Sequence, residues 1–336
     1  RRVAGLHAPR SAASHRRPDG EHVAVLQHPF TALFGRDVHA VDQHQVHQLL
    51  RQAEGLDDSG DRRALGNVER DLVALARFGG QVLGQALVAA SRTVDGRGVH
   101  SLHAYFLRRG DLSVPIVFEV DRSRDGGSFT SRRVVAIQHG QPILTMSASF
   151  QAAESGLDHQ SSMPDTPAPE TLPDLGEINA ELVGKVPERV QSFFRQQRPF
   201  EFRAVNPPDF LHPVRRAPEK RVWFRVTGPV PEDQALHRCL LTYVSDYHLL
   251  DTSTLPHGVS FMELQMASID HAVWFHRDLR IDDWLLYVTE SPSASGARGF
   301  ARGSIYARDG VRVASAAQEG LTRQHSRWTS PAGQQN

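Results

Sequence analysis

One cysteine, Cys239, stands in 336 residues. That excludes an intramolecular disulfide and any cysteine-rich zinc site. No run of about 18 apolar residues occurs, so no membrane-spanning helix is expected. The first residues, Arg1-Arg2-Val3-Ala4, carry no apolar stretch of signal length, and Gly333-Gln334-Gln335-Asn336 is no lipidation or peroxisomal address. A cytoplasmic location is therefore the expectation. Neither sign of charge is in excess: 38 Lys+Arg balance 38 Asp+Glu. A nucleic-acid partner is not expected, because phosphate-binding domains advertise a basic surplus. Lysine is almost missing, with Lys185 and Lys220 alone among the 38 basic residues. We read this as the composition of a GC-rich genome. A Gly-x-Ser-x-Gly elbow is also absent, so nothing suggests a serine acyl-enzyme of the α/β-hydrolase kind. What the chain does have is 40% hydrophobic and 23% charged residues, the make-up of a globular protein of one to three domains.

Residues 1–77 hold seven of the 18 histidines before position 50 and show no sustained alternation. This segment is expected to be poorly structured, with at most an isolated helix near 41–53 and no strand added to the sheet of the first repeat. His39, His44 and His47 raise a metal reading. A metal site needs a scaffold and supporting partners, and this stretch offers little to pack, so no metal is expected.

The texture changes at Phe78-Gly79-Gly80. Residues 81–93 place Val82, Leu83, Ala86, Leu87 and Ala90 on one broad face, which predicts a buried helix. Gly84 lets another backbone come close. Strands are predicted at 100–107, 115–120, 128–138 and 141–151, separated by Gly-containing turns. Residues 153–198, with Pro164, Pro167, Pro169 and Pro173, read as a Pro-rich linker. Strands resume at 200–205 and 222–227, a second helix is predicted over 233–250, and strands come next at 266–276, 284–290, 299–308 and 311–322. The expected division is 1–77, 78–152, 153–198, 199–325 and a tail at 326–336.

Helix followed by an antiparallel meander thus occurs twice. HAYFLR at His103 is echoed by HAVWFHR at His271, an offset of 168 residues. Val120 and Val288 share that offset, and Gln151 and Gln318 differ by 167. These anchors predict an internal duplication of an α+β unit.

The motifs FGGQVLGQALVAA, HSLHAYFLRRGD, RDGGSFTSRRVVAIQHGQPI, SASFQ, YVSDYHLLD, SIDHAVWFHR, WLLYVTESPSASGARG and VASAAQEGL resemble the bacterial acyl-CoA thioesterase II family over about residues 76–325. The resemblance implies a double hotdog, two repeats in one chain, each a helix wrapped by an antiparallel sheet. It implies hydrolysis of acyl-CoA to free fatty acid and CoA without a cofactor, in a homo-oligomer. It also implies a site. Asp246 in YVSDY falls on the second helix, Ser268 in ASIDH on the next strand, and Gln318 in AQEG on the last strand; in the family such an acid, hydroxyl and amide activate a water.

The chemistry agrees. A carboxylate can take the water's proton while a hydroxyl and an amide fix its orientation toward the thioester carbon. His271 is a further candidate at the substrate; its neighbour Asp270 must point to the other face of the strand. Arg298 and Arg302 are candidates for the CoA phosphates, with solvated salt bridges as the plain alternative. His100 and His103 are the first-half counterparts and read as structural. The family places an opening strand about a dozen residues before FGGQ, whereas the nearest echo here, Ala32-Leu33-Phe34-Gly35-Arg36, puts Phe34 44 residues before Phe78. The first repeat is therefore expected to lack an edge strand. Two other functions compete. An acyl-CoA hydratase would want Asp and His five apart, but five residues beyond Asp246 stands Asp251. A non-catalytic acyl-CoA binder would result from an incomplete first repeat.

Overall fold

The computed structural model describes residues 22–26, 38–39 and 68–324, apart from 112–113, 187, 189–190, 192–193, 196–198 and 208. Its first long element is helix α1 (Val68–Ser91), which begins ahead of the expected start. Val82, Leu83, Ala86, Leu87 and Ala90 on α1 are all buried. Buried residues surround this part of the helix because a sheet wraps one side and a second helix covers the other.

The wrapping strands are β3 (Gly98–Phe106), β4 (Ile116–Asp125), β5 (Phe129–Gln138) and β6 (Gln141–Gln151), joined as antiparallel neighbours in the order β4-β5-β6-β3. Period-two burial sets their faces. On β5, Thr130, Arg132, Val134, Ala136 and Gln138 point inward. Arg132 is the one charged side chain on this inward face of β5, and its buried guanidinium is paired and hydrogen-bonded. It donates to Thr93 Oγ1 at 2.7 Å, to Thr93 O at 3.1 Å and to Asp125 Oδ1 at 2.7 Å. A buried cation is tolerable only when paired and bonded in this way.

Two further strands precede α1. β1 (His22–Leu26) pairs antiparallel with β4, His22 opposite Val120 and Leu26 opposite Ile116, and β2 (Val38–His39) pairs with β1. This corrects the expectation that the first 77 residues add no strand: the alternating HVAVL segment has the β-branched content to extend the open edge of β4. The segments 31–36 and 41–53 lie outside the described residues.

In the second half, β7 (Phe200–Ala204), β8 (Glu219–Val226), β11 (Leu285–Ser295), β12 (Arg298–Ala307) and β13 (Arg312–Gln324) form the corresponding sheet. The strand predicted over 266–276 is two: β9 (Leu264–Ser268), which pairs with β13, and β10 (Asp270–Phe275), which lies between β13 and β3. The β3–β10 pairing, with Ala104 opposite His271, fuses both halves into one 13-stranded sheet. The second helix, α3 (Gln234–Val244), starts at an Asp233 cap whose side chain accepts from Ala235 N at 2.9 Å. It ends at Val244, short of the predicted 250. Ser245 Oγ turns back on Thr242 O, and His248 adopts a left-handed φ of 61°, which a continuing helix does not allow. A 3₁₀ segment (Leu250–His257) comes next. The helices meet at glycines: a Cβ at Gly80 would lie 2.3 Å from Tyr243 O, and one at Gly84 3.0 Å from Cys239 O.

The Pro-rich linker is laid over the second repeat. Gln160 bridges Gly310 O and Arg312 N at 2.8 and 2.9 Å, Trp223 Nε1 donates to Pro167 O at 2.9 Å, and Arg308 pairs with Glu170 at 2.7 Å. It ends in a short helix α2 (Leu175–Leu182), capped by Asp174.

The duplication holds as topology, but its three sequence anchors are off by a residue. His103 is exposed and its neighbour Ala104 faces the core, whereas His271 is itself 1% exposed. Val120 is in the core while Val288 packs on the outer cluster of Trp223, Trp284 and Tyr306. Gln318 faces inward; on β6 it is Phe150, not Gln151, that does so. Because strand faces alternate residue by residue, a one-residue slip reverses every side chain.

Candidate active site

Asp246, Ser268 and Gln318 come from three separate elements and meet. Asp246 lies in the turn after α3 rather than on the helix, Ser268 is the last residue of β9, and Gln318 sits inside β13. Ser268 pairs with Gly320, two residues from Gln318, so the hydroxyl and the amide are diagonal neighbours on adjacent strands. Gln318 Nε2 donates to Asp246 Oδ1 at 2.7 Å and to Ser268 Oγ at 2.9 Å, and Ser268 Oγ donates to Asp246 Oδ1 at 3.3 Å. The Asp246 side chain is only 3% exposed. Both hydrogens of the Gln318 amide are thereby used within the cluster, while its Oε1 is buried without a partner among the described residues.

The first repeat builds one wall of this site. A Cβ at Gly79 would stand 2.8 Å from Asp246 Oδ2 and 3.4 Å from the Phe106 ring. Only a residue without a side chain lets α1 run this close to the carboxylate. Phe106 is held there because its N–H donates to Ile269 O at 2.9 Å, while Ile269 N donates to Glu319 O at 3.0 Å. Gly79, Phe106 and Ser245 were not among the sequence candidates; the Gly-Gly pair of FGGQ was the available signal.

His271 is buried, with Nε2 2.8 Å from Ser245 Oγ and Nδ1 3.9 Å from Asp246 Oδ1. Burial pushes its pKa below the ordinary imidazole value, against the pull of Asp246 and Asp270. Asp270 points to the opposite face and accepts from Glu319 N at 2.6 Å. Tyr287 donates to Ser245 O at 3.0 Å, and burial raises its phenol well above the usual range. Arg298 and Arg302, the candidates for the CoA phosphates, do not join this cluster. Ala301 pairs with Gln318 and shares its inward face, so by alternation Arg298 and Arg302 lie on the outer face. There they pair with Glu319 at 2.9 Å and Glu290 at 2.6 Å, half-exposed, which is the salt-bridge alternative. His100 bonds Ser149 Oγ at 2.8 Å and His103 stacks edge-on against Trp274, both away from the cluster. Asp251 pairs with Lys220 at 2.6 Å.

Joined through β3 and β10, with α1 and α3 packed together against one continuous sheet, the two repeats define a double-hotdog protein. A hotdog-fold protein of unknown function from Alicyclobacillus acidocaldarius shares this fold with a TM-score of 0.59 at 19% identity, covering 76% of this chain and 98% of that one. The relation to closer proteins is specific. The family profile described as acyl-CoA thioesterase matches residues 176–321, and the one described as the acyl-CoA thioesterase N-terminal domain matches 70–151. Human acyl-coenzyme A thioesterase 8 is 42% identical over 255 residues, 73% of this chain and 80% of that protein. The crystal structure of acyl-CoA thioesterase II TesB2 from Mycobacterium marinum aligns with a TM-score of 0.63 at 44% identity, covering 76% of this chain and 92% of that one. The chain belongs to the acyl-CoA thioesterase family and is a thioester hydrolase acting on acyl-CoA.

Proposed function

We propose that Asp246, Ser268 and Gln318 activate the water that hydrolyses the thioester. The observation that carries this is their convergence: residues 22 and 50 positions apart in the chain lie within 3.3 Å of one another. Gln318 and Ser268 both reach Oδ1 of Asp246, which fixes the plane of the carboxylate and leaves its other lone pairs for a water. Asp246 takes one proton as the oxygen attacks the carbonyl carbon. It returns that proton to the CoA sulfur as the C–S bond breaks. Gln318 serves as the holder of the carboxylate and the hydroxyl, since one of its amide hydrogens goes to Asp246 and the other to Ser268.

The hydratase reading loses support from the pairing of Asp251 with Lys220. Release of free CoA thiol from acyl-CoA, measured across acyl chain lengths with the wild type and Asp246→Asn, tests the assignment and separates a hydrolase from a binder. A cytoplasmic location and a homo-oligomeric state belong to the same reading, to be checked by cell fractionation and light scattering. Among the described residues no helix is long and apolar enough to cross a membrane.

A further inference from the structure

His271 has a fixed tautomer. Ser245 Oγ lies 2.9 Å from Thr242 O and 2.8 Å from His271 Nε2. Thr242 O can only accept, so the single Ser245 proton goes to it. Ser245 Oγ then accepts from the ring, which places a hydrogen on Nε2. A neutral imidazole carries one N–H, so Nδ1 is a bare lone pair. It is buried, has no hydrogen-bond partner among the described residues, and faces the Asp246 carboxylate across 3.9 Å. That gap is too wide for a direct bond, but an oxygen between the two meets both at about 2.8 Å. The charged groups around the ring are Asp246 from the turn after α3 and Asp270 from its own strand; Tyr287 of β11 ends on Ser245, and the facing strand β3 presents Ala104.

Hydrolysis near neutral pH leaves two protons to place. One returns to the CoA sulfur. The other belongs to the new carboxylic acid, which ionises with a pKa of roughly 4. Accepting the Asp246–Ser268–Gln318 site, we propose that His271 is a further catalytic residue, whose Nδ1 holds the attacking water jointly with Asp246 and takes the second proton. In balance, Asp246 receives one water proton, the oxygen bonds to carbon, and the C–S bond breaks with the Asp246 proton passing to sulfur. The remaining hydroxyl proton of the acid passes to Nδ1, giving product carboxylate and an imidazolium beside the Asp246 anion. Loss of that proton to solvent resets the pair.

His271→Gln separates this role from packing, because the Gln amide nitrogen occupies the place of Nε2 and keeps the bond to Ser245 while no base stands at Nδ1. Steady-state kinetics from about pH 5 to 9 should show kcat lowered by roughly 10²-fold with KM within about twofold. The acid limb of the wild-type kcat, set by ring protonation below the ordinary imidazole range because the ring is buried, should be missing from the variant. A kcat within about twofold of wild type, with the acid limb unchanged, overturns the role. If His271→Gln does not fold, ¹⁵N NMR of the wild-type imidazole gives an independent check: a ring protonated on Nδ1 at neutral pH overturns the argument. Asp246→Asn run in parallel distinguishes the two claims. Full activity there sinks the underlying site, whereas an unchanged His271→Gln with an inactive Asp246→Asn sinks only this inference.

Discussion

Replacing Asp246 with Asn is the most direct test of the site, because the structure says what will stay in place. The side chains are isosteric. The amide oxygen can take the position of Oδ1, where it still accepts from Gln318 Nε2 and Ser268 Oγ, now 2.7 and 3.3 Å away. The amide nitrogen then occupies the Oδ2 position beside Gly79, where the close approach of α1 is already accommodated. No buried donor or acceptor of Gln318 or Ser268 is newly stranded, so stability should change little. What disappears is the proton acceptor. Loss of a general base costs about 10²–10⁴-fold in turnover, or about 2.7–5.4 kcal/mol of barrier. Because the thioester contacts are untouched, KM should hold. The assay is release of CoA thiol at saturating acyl-CoA, with circular dichroism and a thermal melt to show the fold intact. A folded Asp246→Asn enzyme retaining kcat within about tenfold of wild type refutes Asp246 as the base.

Gly79→Ala adds a Cβ 2.8 Å from Asp246 Oδ2 and should push the carboxylate out of register, lowering kcat by up to about 10²-fold while a melt shifts only modestly. Gln318→Ala unpins the same carboxylate and should also cost up to about 10² in kcat; unchanged rates in either variant would remove these residues from the positioning of Asp246. Burial pushes the Cys239 thiol up to about 12, so a thiol reagent at about pH 8 should not label the folded protein and should label it after denaturation; rapid native labelling contradicts the packing of α3 on α1. Stability should follow His271: burial lowers its folded pKa, so as pH falls below about 6.5 the unfolded chain takes up the proton first and stability declines until the folded value is reached. Denaturant midpoints compared near pH 7.5 and 5.5 read this, and equal midpoints would contradict a buried neutral ring.

The elements that were legible in the sequence are those with a strong local signal. Residues 81–93 announced a buried helix because apolar side chains surround it, and β5 announced itself by alternation. The catalytic candidates were legible through motif resemblance, and their meeting depends on packing that no local pattern encodes. Helix α3 was predicted too long because Leu249 and Leu250 continue an apolar pattern; the signal that ends it is a backbone one, the left-handed His248, which composition does not reveal. Arg298 and Arg302 were assigned by charge alone, and strand parity put them on the other face from Gln318. The strand at His22–Leu26 was overlooked because its partner residues on β4 are 90 to 98 positions away, and five alternating residues carry little weight until an open edge is waiting for them.

The β3–β10 pairing has a genetic consequence. In an assembly of two identical chains, a substitution at such a seam is made on both sides at once, and each copy must serve as both the bearer of the acid and the wall against it. Here one polypeptide carries both roles at separate codons. Gly79 and Phe106 can be kept for closeness, and Asp246 and Ser268 for reactivity, without any residue having to satisfy both demands. Selection can thus act on the two halves independently, and a laboratory library directed at one of them alters a single side of the site.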